Sequence, residues 1–271
     1  MPVPTATRLT SRQHAVVRRC RAAAAGDDPD LVLLDGAHLL TEALDAGVPI
    51  AVVLTDGRVP ALVARAHASG AVTYEGTAAV LDAASPVRSP SGVVALAQWR
   101  TAQVADVVTG RADACCLGLV GVQDPGNVGS AIRAADALGA TGILVLDGTA
   151  NPRAWKTLRG SMGSVFHVAV ACGEADQALA DARRTGLSVI ATVAQGGTSL
   201  EALDLRERSL ILVGSEGAGL PPALIERADA RVTIPMRPGV DSLNVAVTSA
   251  ILLFEARRQR ERSVEPSGAV R

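Results

Sequence analysis

The chain has 271 residues, of which 48% are hydrophobic and only 2% aromatic, and its formal net charge is −1. This length allows two domains of ordinary size with aliphatic cores. A net charge near zero excludes a strong overall electrostatic field. The scarcity of aromatic residues excludes a surface dominated by base stacking on aromatic rings.

The four cysteines, Cys20, Cys115, Cys116 and Cys172, match no zinc-binding spacing, so we predict no metal site. Adjacent cysteines make a poor disulfide framework, and the expected state is reduced and cytoplasmic. The first residues lack a signal-peptide hydrophobic region, and no apolar run reaches the roughly 18 residues of a membrane span. We therefore expect a cytoplasmic protein with no membrane partner.

Five arginines and no acidic residue lie in the first predicted element, between residues 8 and 21: Arg8, Arg12, Arg18, Arg19 and Arg21. Two interpretations stand at about even weight. The segment is either the solvated face of a helix or a basic arm that contacts phosphate groups.

Residues 31–99 alternate short apolar runs with helical segments. The predicted strands are 31–34, 50–54, 72–74 and 93–97, and the predicted helices are 37–46, 61–68 and 77–84. This pattern indicates a small α/β domain with its own core. Residues 104–113 are a linker or a short helix, and we place the domain boundary near residue 105.

A second α/β domain follows over residues 106–262, with residues 263–271 as a flexible tail. The predicted strands are 117–122, 143–146, 165–170, 189–193, 210–213 and 232–234, and the principal predicted helices are 127–138, 174–184, 222–228 and 242–260. The apolar runs are typical of parallel strands buried on both faces.

Two turns of this second domain follow buried strands, at residues 214–219 and 234–239, and a helix then opens near Ser242. Loops at the carboxyl ends of parallel strands are where open α/β sheets bind ligands. Glycines on both sides of Glu216 allow a ligand to approach the backbone closely. Taken singly, Glu216 could equally be solvated, and Asp241 or Ser242 could simply cap the following helix.

Residues 124–133 combine a strand end, a glycine turn and a helix start. They allow an anion-binding interpretation, although no P-loop and no complete dinucleotide fingerprint are present. The alternative is a helix capped by Asn127. Arg133 lies among small and apolar residues, so we expect it to face inward, where an arginine needs an anionic partner. Residues 159–163 lack the Gly-x-Ser-x-Gly spacing of a serine hydrolase, and His167 falls in a predicted strand as a core residue.

In combination, three motifs resemble those of the SpoU (TrmH-like) RNA 2′-O-ribose methyltransferases of the SPOUT superfamily, in that family's order and spacing. The motifs are Asn127-x-Gly129-x-x-x-Arg133, then Leu212-Val213-Gly214-Ser215-Glu216-Gly217-x-Gly219-Leu220, then Ile234-Pro235-Met236 leading to Ser242-Leu243-Asn244-Val245-Ala246. The resemblance covers residues 115–260. Residues 9–99 resemble the family's L30e-like substrate-binding domain through weaker signatures at residues 34–40 and 91–95.

This resemblance implies an α/β trefoil knot in the second domain, which is a rare exception to unknotted folds. It implies a homodimer with the first-motif and final helices at the interface. It also implies that S-adenosylmethionine is the cofactor, held mostly by backbone groups. The implied cofactor-binding residues are Thr192, Val193, Ala194, Gly196, Val213, Gly214, Ser215, Gly217, Ile234, Pro235, Met236 and Leu243.

The implied reaction transfers the cofactor methyl group to a ribose 2′-hydroxyl of RNA. Arg133 matches the residue proposed in the family as base or activator, although a guanidinium stays protonated unless strongly perturbed. Arg133 could instead hold a phosphate, with Asn127, Glu216, Ser242 and Asn244 positioning it and the ribose. The implied RNA-binding residues are Arg8, Arg12, Arg18, Arg19, Arg153 and Arg159.

A domain of this type accompanies rRNA methyltransferases more often than tRNA ones in that family, so the resemblance implies rRNA as the substrate, and we expect 23S rRNA above others. Two alternatives stay open: a tRNA methyltransferase of the same fold, and a non-catalytic RNA-binding or assembly protein. The presence of all five candidate catalytic residues argues against the non-catalytic alternative.

Overall fold

The computed structural model describes residues 7–109 and 111–264. Gly110, in the predicted linker, and residues 265–271, most of the predicted tail, lie outside the described residues. The chain divides into two compact units: residues 1–100 with 151–167, and residues 101–150 with 168–271. The predicted boundary at residue 105 lies close to the first division. The predicted second domain was continuous, however, whereas residues 151–167 group with the first unit.

Strands and helices alternate along most of the chain. They are β1 (Thr7–Leu9), α1 (Ala15–Ala25), β2 (Val32–Asp35), α2 (Ala37–Asp45), β3 (Ile50–Thr55), α3 (Pro60–Ala68), β4 (Val72–Gly76), α4 (Ala78–Ala84), β5 (Val93–Ala97), α5 (Val104–Val108), β6 (Cys115–Val120), α6 (Pro125–Ala137), β7 (Gly142–Leu146), α7 (Trp155–Ser161), a 3₁₀ helix (Ser164–Phe166), β8 (Val170–Cys172), α8 (Ala175–Arg184), β9 (Ser188–Thr192), β10 (Thr198–Ser199), β11 (Ser209–Val213), α9 (Pro222–Glu226), β12 (Ala230–Thr233) and α10 (Val245–Val264).

The first unit holds a five-stranded mixed sheet in the order β1-β4-β3-β5-β2. β5 runs antiparallel to both of its neighbours, and the remaining pairs are parallel. Strand β1 was not predicted: it is three residues long, and Arg8 stands at its centre, paired in register with Glu75. Val17, Cys20 and Ala23 of α1 are buried in the core of this unit.

The second unit holds a seven-stranded sheet in the order β10-β12-β9-β11-β6-β7-β8, and every described pair in it is parallel. All residues of β6, β7 and β11 are buried, as expected for strands covered by helices on both faces. The predicted α/β class with parallel strands is therefore confirmed. The ends of β12, β9 and β11 lie side by side, which brings the loops after them to one edge of the sheet.

Two helix starts differ from the predictions. Helix α6 begins at Pro125, where a proline has no backbone N–H to leave unsatisfied. Its N-cap is Asp124, whose Oδ1 accepts from the backbone N–H of Gly126 at 2.6 Å and of Asn127 at 3.4 Å. The prediction of Asn127 as the cap was wrong, and its side chain is left for other contacts.

The final helix begins three residues later than predicted. Asn244 precedes it, and its Oδ1 accepts from the backbone N–H of Ala246 at 2.9 Å and of Val247 at 3.3 Å. The alternative of capping by Asp241 or Ser242 was therefore wrong, and both residues belong to the loop that leads into the helix.

The predicted strand over residues 165–170 is also wrong. Met162 and Gly163 both have positive φ, 51° and 93°, so the chain turns sharply after α7 and continues as a 3₁₀ helix. His167 is exposed, with its Nε2 3.3 Å from Glu42 Oε2, and is not a core residue. Within residues 7–109 and 111–264, no helix has both the length and the apolar character needed to cross a membrane.

Candidate active site

A cavity of about 460 Å³ lies in the second unit, at the adjoining carboxyl ends of β9, β11 and β12. Its lining comes from the segments that follow these strands and from the start of α10. The lining residues are Thr192, Val193, Ala194, Val213, Gly214, Ser215, Glu216, Gly217, Ala218, Gly219, Leu220, Ile225, Val232, Ile234, Met236, Asp241, Ser242, Leu243, Val245 and Thr248. Most are aliphatic or glycine, so the cavity offers apolar side chains together with accessible backbone groups.

The loop after β11 folds back on itself at Gly214. Gly219 donates its backbone N–H to the carbonyl oxygen of Ser215 at 2.9 Å, which closes the loop. A Cβ atom on Gly214 would overlap the backbone of Gly219 and Leu220. Only glycine therefore fits at the first position of this loop.

Glycines further along the same loop are open. A Cβ atom added to Gly217 or Gly219 would meet nothing within 4 Å, and both residues line the cavity. A ligand can therefore approach the peptide groups of this loop without obstruction from side chains.

Three polar side chains join the cavity loop to two helix starts. Glu216 Oε1 accepts from Asn127 Nδ2 at 2.7 Å, from Asn244 Nδ2 at 2.8 Å and from the backbone N–H of Val245 at 3.4 Å. Asn244 Nδ2 also donates to Asn127 Oδ1 at 3.0 Å. Since Asn127 lies in the first turn of α6 and Asn244 precedes α10, one carboxylate holds the three motif segments together.

The sequence that carries this cluster matches an enzyme family. The sequence profile of the SpoU rRNA Methylase family matches residues 114–254, more than half of the chain. The chain belongs to this family. A relative from Bacillus subtilis (strain 168), the 23S rRNA (guanosine(2553)-2'-O)-methyltransferase RlmP, is 32% identical over 227 residues, covering 83% of this chain and 88% of the relative.

Solved structures of SpoU and rRNA methyltransferases agree with this assignment. The AdoMet-bound rRNA methyltransferase from Sinorhizobium meliloti superposes with a TM-score of 0.85 at 32% identity, covering 93% of this chain and 98% of that one. The SpoU methyltransferase AviRb from Streptomyces viridochromogenes, in complex with AdoMet, gives a TM-score of 0.80 at 29% identity, covering 92% and 99%. The comparisons confirm the predicted enzyme class, an RNA 2′-O-methyltransferase, and S-adenosylmethionine (AdoMet) as its cofactor.

The cavity of this SpoU chain fits that cofactor. Its aliphatic walls suit an adenine ring, and the open glycines suit polar groups that bond to the backbone. Ten of the twelve predicted cofactor-binding residues line it; Gly196 and Pro235 do not. Eight other lining residues were not assigned to cofactor binding or catalysis from the sequence: Ala218, Gly219, Leu220, Ile225, Val232, Asp241, Val245 and Thr248. The available signal was position, since Gly219, Leu220 and Val245 belong to the quoted motifs and Asp241 adjoins the third.

Arg133 does not lie where the sequence predicted. Its side chain is exposed, and Arg133 is not among the cavity-lining residues. Its guanidinium has no hydrogen-bond or ion-pair partner in the described part of the chain. Six residues along a helix correspond to a rotation of about 240°, so Asn127 and Arg133 point to different sides of α6. The expected inward orientation was wrong.

The predicted RNA-binding arginines fall into two groups. Five are exposed: Arg8, Arg12, Arg18, Arg19 and Arg159. Of these, Arg18 Nη1 donates to the carbonyl oxygen of Gln13 at 3.2 Å, and Arg19 pairs with Asp28 at 2.9 Å. Arg153 is half-buried, and its Nη1 and Nη2 donate to the backbone carbonyl groups of residues 28, 29 and 31 at 2.7–3.3 Å. The exposed five stay predicted phosphate contacts, whereas the Nη donors of Arg153 are used within the first unit.

Two of the buried cysteines are unsuited to thiolate chemistry. Burial raises the pKa of Cys20 to about 12 and that of Cys116 to about 11, so both thiols are protonated at neutral pH. No group of three or more His, Cys, Asp or Glu residues in the described segments is arranged to hold a metal ion.

Proposed function

We propose that this SpoU enzyme methylates a ribose 2′-hydroxyl of 23S rRNA. One observation carries the proposal: the carboxylate of Glu216 ties the cavity loop to the Asn127 and Asn244 helix starts. A protein that only bound RNA would not need this connection between a small-molecule cavity and two helix starts. The name of the Bacillus subtilis relative supports 23S rRNA as the substrate.

Different residues of this chain would bind the cofactor, exclude water and orient the ribose. Bound S-adenosylmethionine would supply an electrophilic methyl group on a sulfonium leaving group. The loop from Gly214 to Gly219 would hold it through backbone groups, and the apolar walls would exclude water. Ser242, exposed at the cavity, would help to orient the ribose. A guanidinium offers hydrogen-bond donors and no acceptor, so Arg133 would bind an RNA phosphate and orient the hydroxyl.

We further propose that the enzyme acts as a homodimer. Val247 and Phe254 of α10 are apolar yet 47% and 59% exposed, and they lie seven residues apart, on one side of the helix. Helix α6, which carries Arg133, packs against α10. A second copy seated on this face would cover the apolar side chains and bring its own Arg133 toward the cavity.

Phe254→Glu is expected to convert the dimer into a monomer, because a buried interface would then contain an unpaired charge. Light scattering coupled to size-exclusion chromatography measures the mass. Val72→Glu, which replaces an apolar residue of the first unit that is 53% exposed, is the matched control and should stay dimeric. A wild-type chain that is monomeric at micromolar concentration would contradict the dimer.

Three further parts of the proposal concern the chain as a whole. The first unit would bind the RNA substrate, as an L30e-like domain would. The parallel sheet of the second unit would carry the trefoil knot. The rRNA substrate would place the enzyme in the cytoplasm.

Methyl transfer tests the proposed function. The protein would receive methyl-labelled S-adenosylmethionine with unmodified 23S rRNA, 16S rRNA or tRNA. We expect label in 23S rRNA alone, with one linkage resistant to alkaline cleavage. Label in tRNA alone would establish the alternative substrate. If the protein binds cofactor but labels no free RNA, the transfer assay would be repeated with ribosomal particles. Label in the particles would establish a particle substrate, and no label would establish a non-catalytic protein.

A further inference from the structure

The cavity carries an unbalanced charge. Among the described residues that line it, Glu216 and Asp241 are the only ionisable ones, and both are acidic. The remaining walls are aliphatic, hydroxyl-bearing or glycine. A carboxylate that lines a cavity attracts a positively charged ligand, and solvent weakens this attraction where the carboxylate is exposed.

The two carboxylates differ in what they contact. Glu216 Oε1 accepts three hydrogen bonds, from Asn127, Asn244 and the backbone of Val245, so Glu216 is part of the frame of the site. Asp241 is exposed, in the loop between β12 and α10, and has no hydrogen-bond or ion-pair partner in the described part of the chain. The hydrogen bonds of the fold do not account for an acidic residue at this position.

We propose that Asp241 is a specificity-determining residue that makes the cavity prefer the positively charged cofactor to the product, S-adenosylhomocysteine. The two ligands share the adenosine and the zwitterionic amino-acid group, and they differ by one methyl group and one positive charge on sulfur. A carboxylate at the cavity therefore favours the cofactor selectively, and its attraction falls once the methyl group has been transferred. This inference rests on the proposed function, since it requires the cofactor to bind in this cavity.

The test is a charge series at Asp241, measured by isothermal titration calorimetry without RNA. The ligands are S-adenosylmethionine, S-adenosylhomocysteine and sinefungin, an analogue whose amine places a positive charge near the position of the sulfonium. In Asp241→Asn we expect the Kd of the two cationic ligands to rise about three- to fivefold, since exposed charge pairs are weak. In Asp241→Lys, where repulsion replaces attraction, we expect a rise of about tenfold or more. The Kd of S-adenosylhomocysteine should change by less than about twofold in both variants, because its sulfur carries no charge.

Asp82→Asn and Asp82→Lys are matched controls. Asp82 is an exposed acid of the first unit outside the cavity lining, and its replacement changes the net charge by the same amount. These controls should leave all three Kd values unchanged. If the Asp241 variants weaken the three ligands equally, or none of them, the inference is wrong while the proposed function stands. If the wild-type protein binds none of the three ligands, the proposed function itself fails.

Discussion

Replacing Arg133 with alanine is expected to lower the rate of methyl transfer by about a hundred- to a thousandfold, the range typical for loss of one hydrogen-bond donor that acts in the transition state. The Kd of S-adenosylmethionine should stay within about twofold of wild type, because Arg133 does not line the cavity. Single-turnover transfer to 23S rRNA and calorimetric cofactor binding measure the two quantities separately. Loss of transfer with intact binding is the signature of a group that acts on the RNA.

Two further variants sharpen this prediction. Arg133→Lys keeps the positive charge but loses the planar fork of donors, so its rate should fall between those of wild type and Arg133→Ala. Arg231→Ala removes another exposed arginine of the same unit that does not line the cavity, and should leave the rate unchanged. Transfer by Arg133→Ala at near wild-type rate would remove Arg133 from the mechanism.

The exposure of Arg133 also makes a mixing experiment decisive. If Arg133 serves the site of the partner protomer, Arg133→Ala mixed with a variant that cannot bind cofactor should regain activity. One site of each mixed dimer would then be complete, giving about a quarter of wild-type activity for random pairing of equal amounts. No recovery in confirmed mixed dimers would show that Arg133 acts within its own chain.

Much of the second unit was predictable because its strands are continuous apolar runs. β11 was predicted within one residue of its observed start, and β12 was predicted at the same place along the chain, with its ends shifted by one or two residues. Parallel strands place their carboxyl ends at one edge, so the loops from Gly214 and Ile234 could be expected to meet. The cavity contains residues from both.

Side-chain direction and tertiary grouping were not predictable in the same way. Small and apolar neighbours suggested a buried Arg133, but the sequence does not give the rotation of α6 about its axis. Asn127 was predicted as the N-cap because Asn is favoured at that position. In the structure Asp124 is the N-cap, and the Asn127 side chain instead donates a hydrogen bond to Glu216, 89 residues away along the chain. The grouping of residues 151–167 with the first unit likewise depends on contacts such as those of Arg153, which no local pattern encodes.

Gly214→Ala is expected to weaken cofactor binding strongly, with the Kd of S-adenosylmethionine raised by about a hundredfold or more, because the binding loop must open. A methyl group at this position would overlap the backbone of Gly219 and Leu220. Backbone atoms cannot rotate away as a flexible side chain can, so the loop must open. Overpacking of this kind typically lowers the free energy of unfolding by about 1–3 kcal/mol. Calorimetry measures the Kd, and thermal unfolding followed by circular dichroism measures the stability.

Gly217→Ala separates this effect from a general intolerance of the loop to alanine. A Cβ atom there meets nothing within 4 Å, so the unfolding temperature should match wild type, whereas that of Gly214→Ala should fall. If Gly214→Ala binds the cofactor as tightly as wild type, the folded-back loop is not the conformation that holds the cofactor. Since Glu216 lies between these glycines and accepts from Asn127 and Asn244, opening the loop should also release the two helix starts. Gly214→Ala should therefore lose methyl transfer even at saturating cofactor, because the backbone fit at Gly214 and the hydrogen bonds of Glu216 depend on the same loop.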